Sequence, residues 1–256
     1  MKKYFLCLFL VSFYISVCIA QPEPIDTDRP DQTESVFLVP KHWVQFEAGF
    51  TFSHLTRDES EYLLPTLLSK YGISKNVEFR LLTTFVSASH LEIPTGTIYE
   101  NGFAPVEIGT KIALFQQRKL LPQTSVIIQF GIPHLASDKY KIDKIAPSVV
   151  LVMQNAVSKN FAVGYNLGVE WDGIDNSNPT WIYTLSPGFN FAKNWYGYVE
   201  AFGSFKKHES PQHNIDAGLA YYFTNNCKVD LSSGFGISTA APVWYLAVGI
   251  SFRFKT

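Results

Sequence analysis

The sequence has little that can cross-link, coordinate or charge it strongly. It holds 3 cysteines in 256 residues. Cys7 and Cys18 lie in an apolar leader, and Cys227 has no neighbour with which to form an internal disulfide or a paired-cysteine metal site. Net charge is -1, without the basic footprint of a nucleic-acid binder. Beyond residue 20 no apolar run is long enough for a membrane-spanning helix. No stretch shows a sustained 3.6-residue apolar period, so no helix is expected. A phosphate-cradling glycine loop is missing too, since Gly234-Phe-Gly236 sits within a strand pattern, where glycine relieves crowding.

Aromatic residues are abundant, at 15% of the chain, with 21 Phe and 13 Tyr, while charged residues make up only 17%. Such a chain either buries a large core or places apolar surface somewhere other than water. The first residues have the form of an export signal: Lys2 and Lys3, then an apolar stretch from Tyr4 to Ile19, with Ala20 as the last residue before cleavage. Val17 is bulky where an acylated Cys18 would need a small residue. Cleavage there leaves about 236 residues, from 256 less 20.

From residue 43 onward the dominant period is two. Val44, Phe46, Ala48, Phe50 and Phe52 alternate with Gln45, Glu47, Gly49, Thr51 and Ser53. Phe161 to Asp172 repeats the pattern, as do 106–115, 124–132, 181–191, 215–224, 228–237 and 244–254. Segments 61–71, 77–87, 147–157 and 195–205 are strands by composition and spacing. Their connections alternate strictly. Short ones (Ser74-Lys75-Asn76, 116–122, Ser158-Lys159-Asn160, Ala192-Lys193-Asn194, Thr224-Asn225-Asn226) suit tight hairpins, where Asn tolerates left-handed backbone. Longer polar ones fall at 56–60, 88–104, 133–146, 172–180, 206–214 and 238–242.

About twelve antiparallel strands of roughly ten residues, with short turns at one end and longer loops at the other, predict an all-β, up-and-down transmembrane β-barrel. Lipid offers the backbone no hydrogen bonds, so a sheet spans it only by closing on itself. The expected organisation is a signal peptide at 1–20, an N-terminal periplasmic arm at 21–42 and a barrel at 43–256. The tryptophans agree: Trp43 and Trp195 fall at the short-turn rim, and Trp171, Trp181 and Trp244 near the long loops, where an indole keeps its N–H wet.

Several stretches carry a family resemblance. They are Thr27-Asp28-Arg29-Pro30, Glu34-Ser35, Val39-Pro40, Phe46-Glu47-Ala48-Gly49, Tyr71-Gly72 and Glu78-Phe79-Arg80. Over roughly residues 25–254 the chain resembles the outer-membrane "MetA-pathway of phenol degradation" family, whose members are often labelled transporters. The resemblance implies an outer-membrane barrel; it carries over no substrate and no catalytic residue. The last strand, Tyr245 to Phe254, also resembles the C-terminal assembly signal of bacterial outer-membrane barrels, with Gly249, Phe252 and Phe254. It departs from that signal at Ala247 and in the trailing Lys255-Thr256.

Alternation turns Glu47, Glu78, Arg80, Glu107, Lys111, Glu170, Glu200, Asp216, Lys228, Asp230 and Arg253 inward. Charges in a narrow lumen must be paired or hydrated, so this set reads either as an internal ion-pair network or as a selectivity lining. Ahead of the first strand, Asp26, Asp28, Arg29, Asp31 and Glu34 form a charged arm. One reading tucks it into the periplasmic mouth against Glu47, Arg80 or Arg253; the other leaves it a solvated leader.

His90, His134, His208 and His213 fall in long loops. His208-Glu209 to His213 has the outline of a zinc-protease motif but is one residue too long, and Pro211 forbids the helix it needs. Ser89 beside His90 is the one serine–histidine pairing that draws attention, and adjacent loop residues are a poor nucleophile–base pair. No catalytic residue, metal or cofactor is expected. The sequence predicts a channel or transporter for small solutes, hydrophobic or aromatic ones included, in the Gram-negative outer membrane with both termini periplasmic. Its partners would be outer-membrane lipid, the barrel-assembly machinery and the solute. A closed, charge-filled structural or surface-binding barrel and a lipid-modifying rim enzyme are the alternatives.

Overall fold

A computed structural model describes residues 23–92 and 96–256. The expected signal peptide and its cysteines therefore lie outside the described residues. Twelve long strands form the wall: β1 (Trp43–His54), β2 (Glu59–Gly72), β3 (Val77–Glu92), β5 (Glu107–Phe115), β6 (Gln123–Gly131), β7 (Ala146–Ala156), β8 (Phe161–Glu170), β9 (Thr180–Ala192), β10 (Trp195–Lys206), β11 (Gln212–Thr224), β12 (Cys227–Gly236) and β13 (Trp244–Lys255). A further strand, β4 (Gly96–Phe103), joins the edge of β3. All strand pairs are antiparallel; neighbours in sequence pair except that β5 joins β3 instead of β4, and β1 pairs with β13 from Trp43↔Lys255 to His54↔Trp244, which closes the barrel. The sequence-predicted twelve-strand barrel is the observed one.

The wall is inside-out relative to a water-soluble barrel. Along β13, Leu246, Val248, Ile250, Phe252 and Phe254 are exposed, while Ala247, Ser251 and Arg253 are buried. In β12, Leu231 faces out and Lys228, Asp230 and Ser232 face in. A lipid-facing apolar band around a polar interior produces this pattern. The five tryptophans sit at strand ends, Trp43, Trp195 and Trp244 being the first residues of β1, β10 and β13.

Two departures from regular alternation matter. At Leu64-Pro65 the β1–β2 and β2–β3 ladders shift register, between Gly49 and Thr51 and between Leu63 and Thr66. Proline cannot donate to a ladder and is tolerated in a wall strand only at such a bulge. Beyond it the inward frame of β2 changes, so that Leu68 and Lys70 are buried.

The second departure corrects the sequence reading. The expected loop 88–104 is largely strand. β3 continues to Glu92, and its upper half, Phe85–Glu92, pairs with β4, while its lower half, Val77–Leu82, pairs with β5. β4 and β5 thus follow the same edge of β3, interrupted at Ala104-Pro105-Val106, where a proline ends the ladder. The wall rises higher here than elsewhere on the rim. The free edge of β4 is covered by the following long loop. Ser137 N–H donates to the Phe103 carbonyl at 3.0 Å, Tyr140 Oη donates to the Glu100 carbonyl at 3.1 Å, and Lys139 pairs with Glu100. Covering an edge this way removes an open template for strand addition.

Candidate functional site: the arm inside the barrel

Residues Ile25 to Pro40 enter the barrel from the short-turn end and return to it before β1. Ile25 N–H donates to the Asn225 carbonyl of the β11–β12 turn at 2.8 Å. Deeper in, Tyr198 donates to the Pro30 carbonyl at 3.2 Å, Gln32 N–H donates to Glu200 at 2.7 Å, and Thr33 and Thr184 hydroxyls meet at 2.6 Å. On the return, Lys111 donates to the Ser35 carbonyl and Ser125 to the Val36 carbonyl, both at 2.7 Å. Val39 N–H then donates to Glu78 at 2.7 Å. An irregular segment at this depth survives only if its peptide groups are satisfied; here inward side chains of the wall satisfy them. Val36 also joins Ile127, Val150 and Val152 in a small apolar cluster.

Asp28 is the electrostatic centre. Its carboxylate accepts from Lys70 Nζ at 2.6 Å, Arg80 Nη1 at 2.8 Å and Lys111 Nζ at 2.8 Å. These cations stand on consecutive wall strands, β2, β3 and β5. Burial alone would raise the Asp28 pKa, but Lys111, Lys70 and Arg80 hold it well below the usual carboxylate range. Glu34 caps the same cluster through Arg80 Nη2, at 3.1 and 3.0 Å. Glu47 pairs with Lys70 and accepts from Asp28 N–H at 2.9 Å, and Glu78 lies 3.4 Å from Arg80.

The facing sector is acidic, with Glu200, Asp216 and Asp230 on β10, β11 and β12. Arg29 pairs with Asp230 at 2.9 Å, and the one Tyr198 hydroxyl proton is shared between the Pro30 carbonyl and Asp216, the latter at 3.0 Å. Tyr245 also hydrogen-bonds Asp216, and Thr33 hydrogen-bonds Glu200. Asp31 accepts from Ser186 at 3.0 Å, and Lys228 donates to the Arg29 carbonyl at 2.7 Å. Gly49 and Gly249 are register partners on β1 and β13, and a Cβ on either would overlap the Arg29 guanidinium. Their missing side chains make the groove in which Arg29 lies.

Nine of the inward charges anticipated from alternation therefore gather around or below the arm, Arg253 doing so through the Glu23 carbonyl at the mouth. Glu107 and Glu170 do not. Glu107 accepts from Gln129 at 2.7 Å, and Glu170 is exposed; both line a cavity of about 290 Å³ at the long-loop rim. Asp26 lies at the mouth, bonded to Ser35. Lys70 escaped the sequence reading because the Pro65 bulge flips the frame of its strand. Tyr198, Tyr245 and Thr184 escaped it because nothing but burial distinguishes them from other strand residues.

The histidine and serine candidates are not assembled. Ser89 and His90 are consecutive in β3, so their side chains point to opposite faces. His213 meets the Tyr183 hydroxyl at 2.9 Å, and among the described residues no group of three His, Cys, Asp or Glu is placed to hold a metal.

A closed antiparallel barrel with an apolar outer band, a charged interior and an inward-folded arm defines the outer-membrane class of β-barrel. The chain belongs to the family described as "Putative MetA-pathway of phenol degradation", whose model matches residues 27–254. Among solved structures, an outer-membrane channel from Pseudomonas putida F1 is similar with a TM-score of 0.68 at 9% identity, over 86% of this chain and 98% of that one. The NanC and KdgM porins follow with TM-scores of 0.54 and 0.53 at 10% and 11% identity, each over 82% of this chain and 100% and 99% of theirs. At such identities the likeness concerns the fold. No curated protein sequence matches the chain.

Proposed function

We propose that this protein is an outer-membrane channel for small solutes, narrowed by its own N-terminal arm. One observation carries the reading: cavities lie on both sides of the arm's tip and share its side chains. An outer cavity of about 460 Å³ and an inner one of about 260 Å³ are both lined by Arg29, Asp31 and Glu34. The inner one adjoins a mouth of about 1190 Å³ through Asp26 and Phe37. A solute following this path passes the tip between Asp31, Glu34 and Arg29.

The outer cavity joins Leu63, Leu68, Leu82 and Phe202 to Gln32, Gln129, Asn214 and Tyr245. That lining suits a small molecule with an apolar body and one or two hydrogen-bonding groups. A phenol is of this kind, in keeping with the family's description. The inward charges act as selectivity lining at the tip and as anchors for the arm below it. On this reading the short-turn end, where the arm enters and Thr256 N–H bonds the His42 carbonyl at 2.9 Å, faces the periplasm. The aromatic C-terminal strand is then the part read by the assembly machinery.

The density of pairing around the arm favours a second reading, a permanently closed barrel. Liposome swelling separates the two. The channel reading expects slow flux of small solutes through the wild type and faster flux after deletion of residues 25–35. Folded, inserted protein without flux in either form would sink it.

A further inference from the structure

The two ends of the barrel carry charge differently. At the long-loop end bases and acids are mixed and paired: Lys139 with Glu100, Lys141 with Asp138, and Lys206 with both Asp172 and Glu209. At the short-turn end the circumference is basic only. Lys75 stands in the β2–β3 turn, Arg118 and Lys119 in β5–β6, Lys159 in β7–β8 and Lys193 in β9–β10. Lys41 and Lys255 flank the meeting of β1 and β13, and only the β11–β12 turn lacks a cation. All of these side chains are exposed, and among the described residues none forms an ion pair. The acids at this end, Glu23 and Asp26, belong to the arm within the mouth.

Exposed aromatic rings mark where the membrane interface lies. Phe115, Phe161, Phe191, Trp195 and Phe223 all face outward within a few residues of these turns, as an interfacial girdle does. Trp195 packs on Tyr221 at 4.9 Å and stacks on Phe191 at 6.2 Å. A lysine or arginine just past such a girdle extends its ammonium or guanidinium into the headgroup layer.

We propose that this rim is a binding ring for anionic phospholipid headgroups in the leaflet that holds the short turns. Among the described residues the cations form no ion pair, and they stand all around the short-turn rim beside the aromatic girdle, Lys159 and Lys193 also bordering the mouth. The turns are too short to reach a cell-wall polymer beyond the headgroups. An anionic surface attracts each nearby cation by about 1 kcal/mol, about a fivefold preference per engaged side chain. The ring rests on the reading of this chain as a membrane-spanning barrel.

Two single-tryptophan proteins test it, one keeping Trp195 and one keeping Trp181 at the opposite end, the other four indoles being replaced by Phe. Each is reconstituted at low salt in vesicles of phosphatidylcholine with brominated phosphatidylglycerol or brominated phosphatidylcholine, and quenching gives relative lipid affinity. The expected result is a preference for phosphatidylglycerol of about fivefold or more at Trp195, none at Trp181, and its loss in Lys159→Gln/Lys193→Gln and in high salt. Equal quenching by the two lipids at Trp195, or a preference the double variant leaves unchanged, overturns the ring. Retention on purified peptidoglycan sacculi that the same variants abolish, without a lipid preference, assigns the rim to the wall polymer instead. Heat-dependent gel mobility keeps the layers apart: protein without a folded-barrel band contradicts the membrane reading itself, whereas folded protein without lipid preference contradicts the ring alone.

Discussion

Asp28 and Arg80, 52 positions apart in the chain, meet at 2.8 Å in the middle of the barrel. Lys70 and Lys111 complete the contact from the strands on either side. The arm is thus held by one carboxylate that answers three wall cations at once, and the wall cations are held in turn by the arm.

Asp28→Asn should release the arm without unfolding the barrel. Removing one partner from a buried ion cluster typically costs about 3–5 kcal/mol, and here the cost falls on docking of the arm, since the wall ladders do not involve it. Wider conductance steps and protease cleavage within residues 25–40, with an unchanged folded band on gels, are the expected signs. Unaltered conductance and protection would show that Asp28 is not the anchor.

Gly249→Ala should mimic Asp230→Asn. A methyl group at Gly249 occupies the Arg29 groove and so breaks the same Arg29–Asp230 pair. Because both changes act on one contact, their effects on arm release should not add. A double-mutant cycle in thermal stability or conductance checks this, and full additivity would disprove the shared origin.

Thr33→Cys with Thr184→Cys, in a Cys227→Ser background, should lock the arm in place. The two hydroxyls lie 2.6 Å apart on arm and wall, close enough for a disulfide after modest adjustment. The oxidised protein is expected to lose its larger single-channel openings and to regain them with reductant. Identical traces under both conditions would mean that transport does not require the arm to move.

The outer loop 172–178 should keep its fold well into acid. Hydrogen bonds from the Ser177 hydroxyl and backbone N–H and from Asn178 lower the Asp175 pKa to about 2. A depressed carboxylate contributes stability above its ordinary pKa and loses it as pH falls through the folded value. The loop should therefore stay ordered at pH 4 and loosen only near pH 2. NMR titration of the Ser177 amide would show it; a midpoint near 4 would refute the assignment.

Much of this architecture was legible because a lipid-exposed barrel repeats one simple rule. Polar and apolar residues alternate with the pleat, so the strand count and most of the short and long connections could be read from spacing. The reading failed where the local rule is broken. Pro65 shifts the frame of β2 and hides Lys70, and the segment 88–104 reads as a polar loop although most of it is the end of β3 and the strand β4 paired to it. Its pairing rests on backbone hydrogen bonds to β3, which leave no period-two mark in this stretch of sequence.

By itself, then, the sequence determined a closed transmembrane wall, because period-two patterning and the backbone's need for hydrogen bonds in lipid leave no other solution. It determined also that a charged segment precedes that wall. Only the tertiary structure decided where this segment goes. Asp28, Arg29 and Thr33 find partners on strands 42 to 201 residues away, and such contacts depend on barrel closure, shear and the Gly49–Gly249 groove. Local sequence records none of these, because each arises when distant strands are brought to the same height around one lumen.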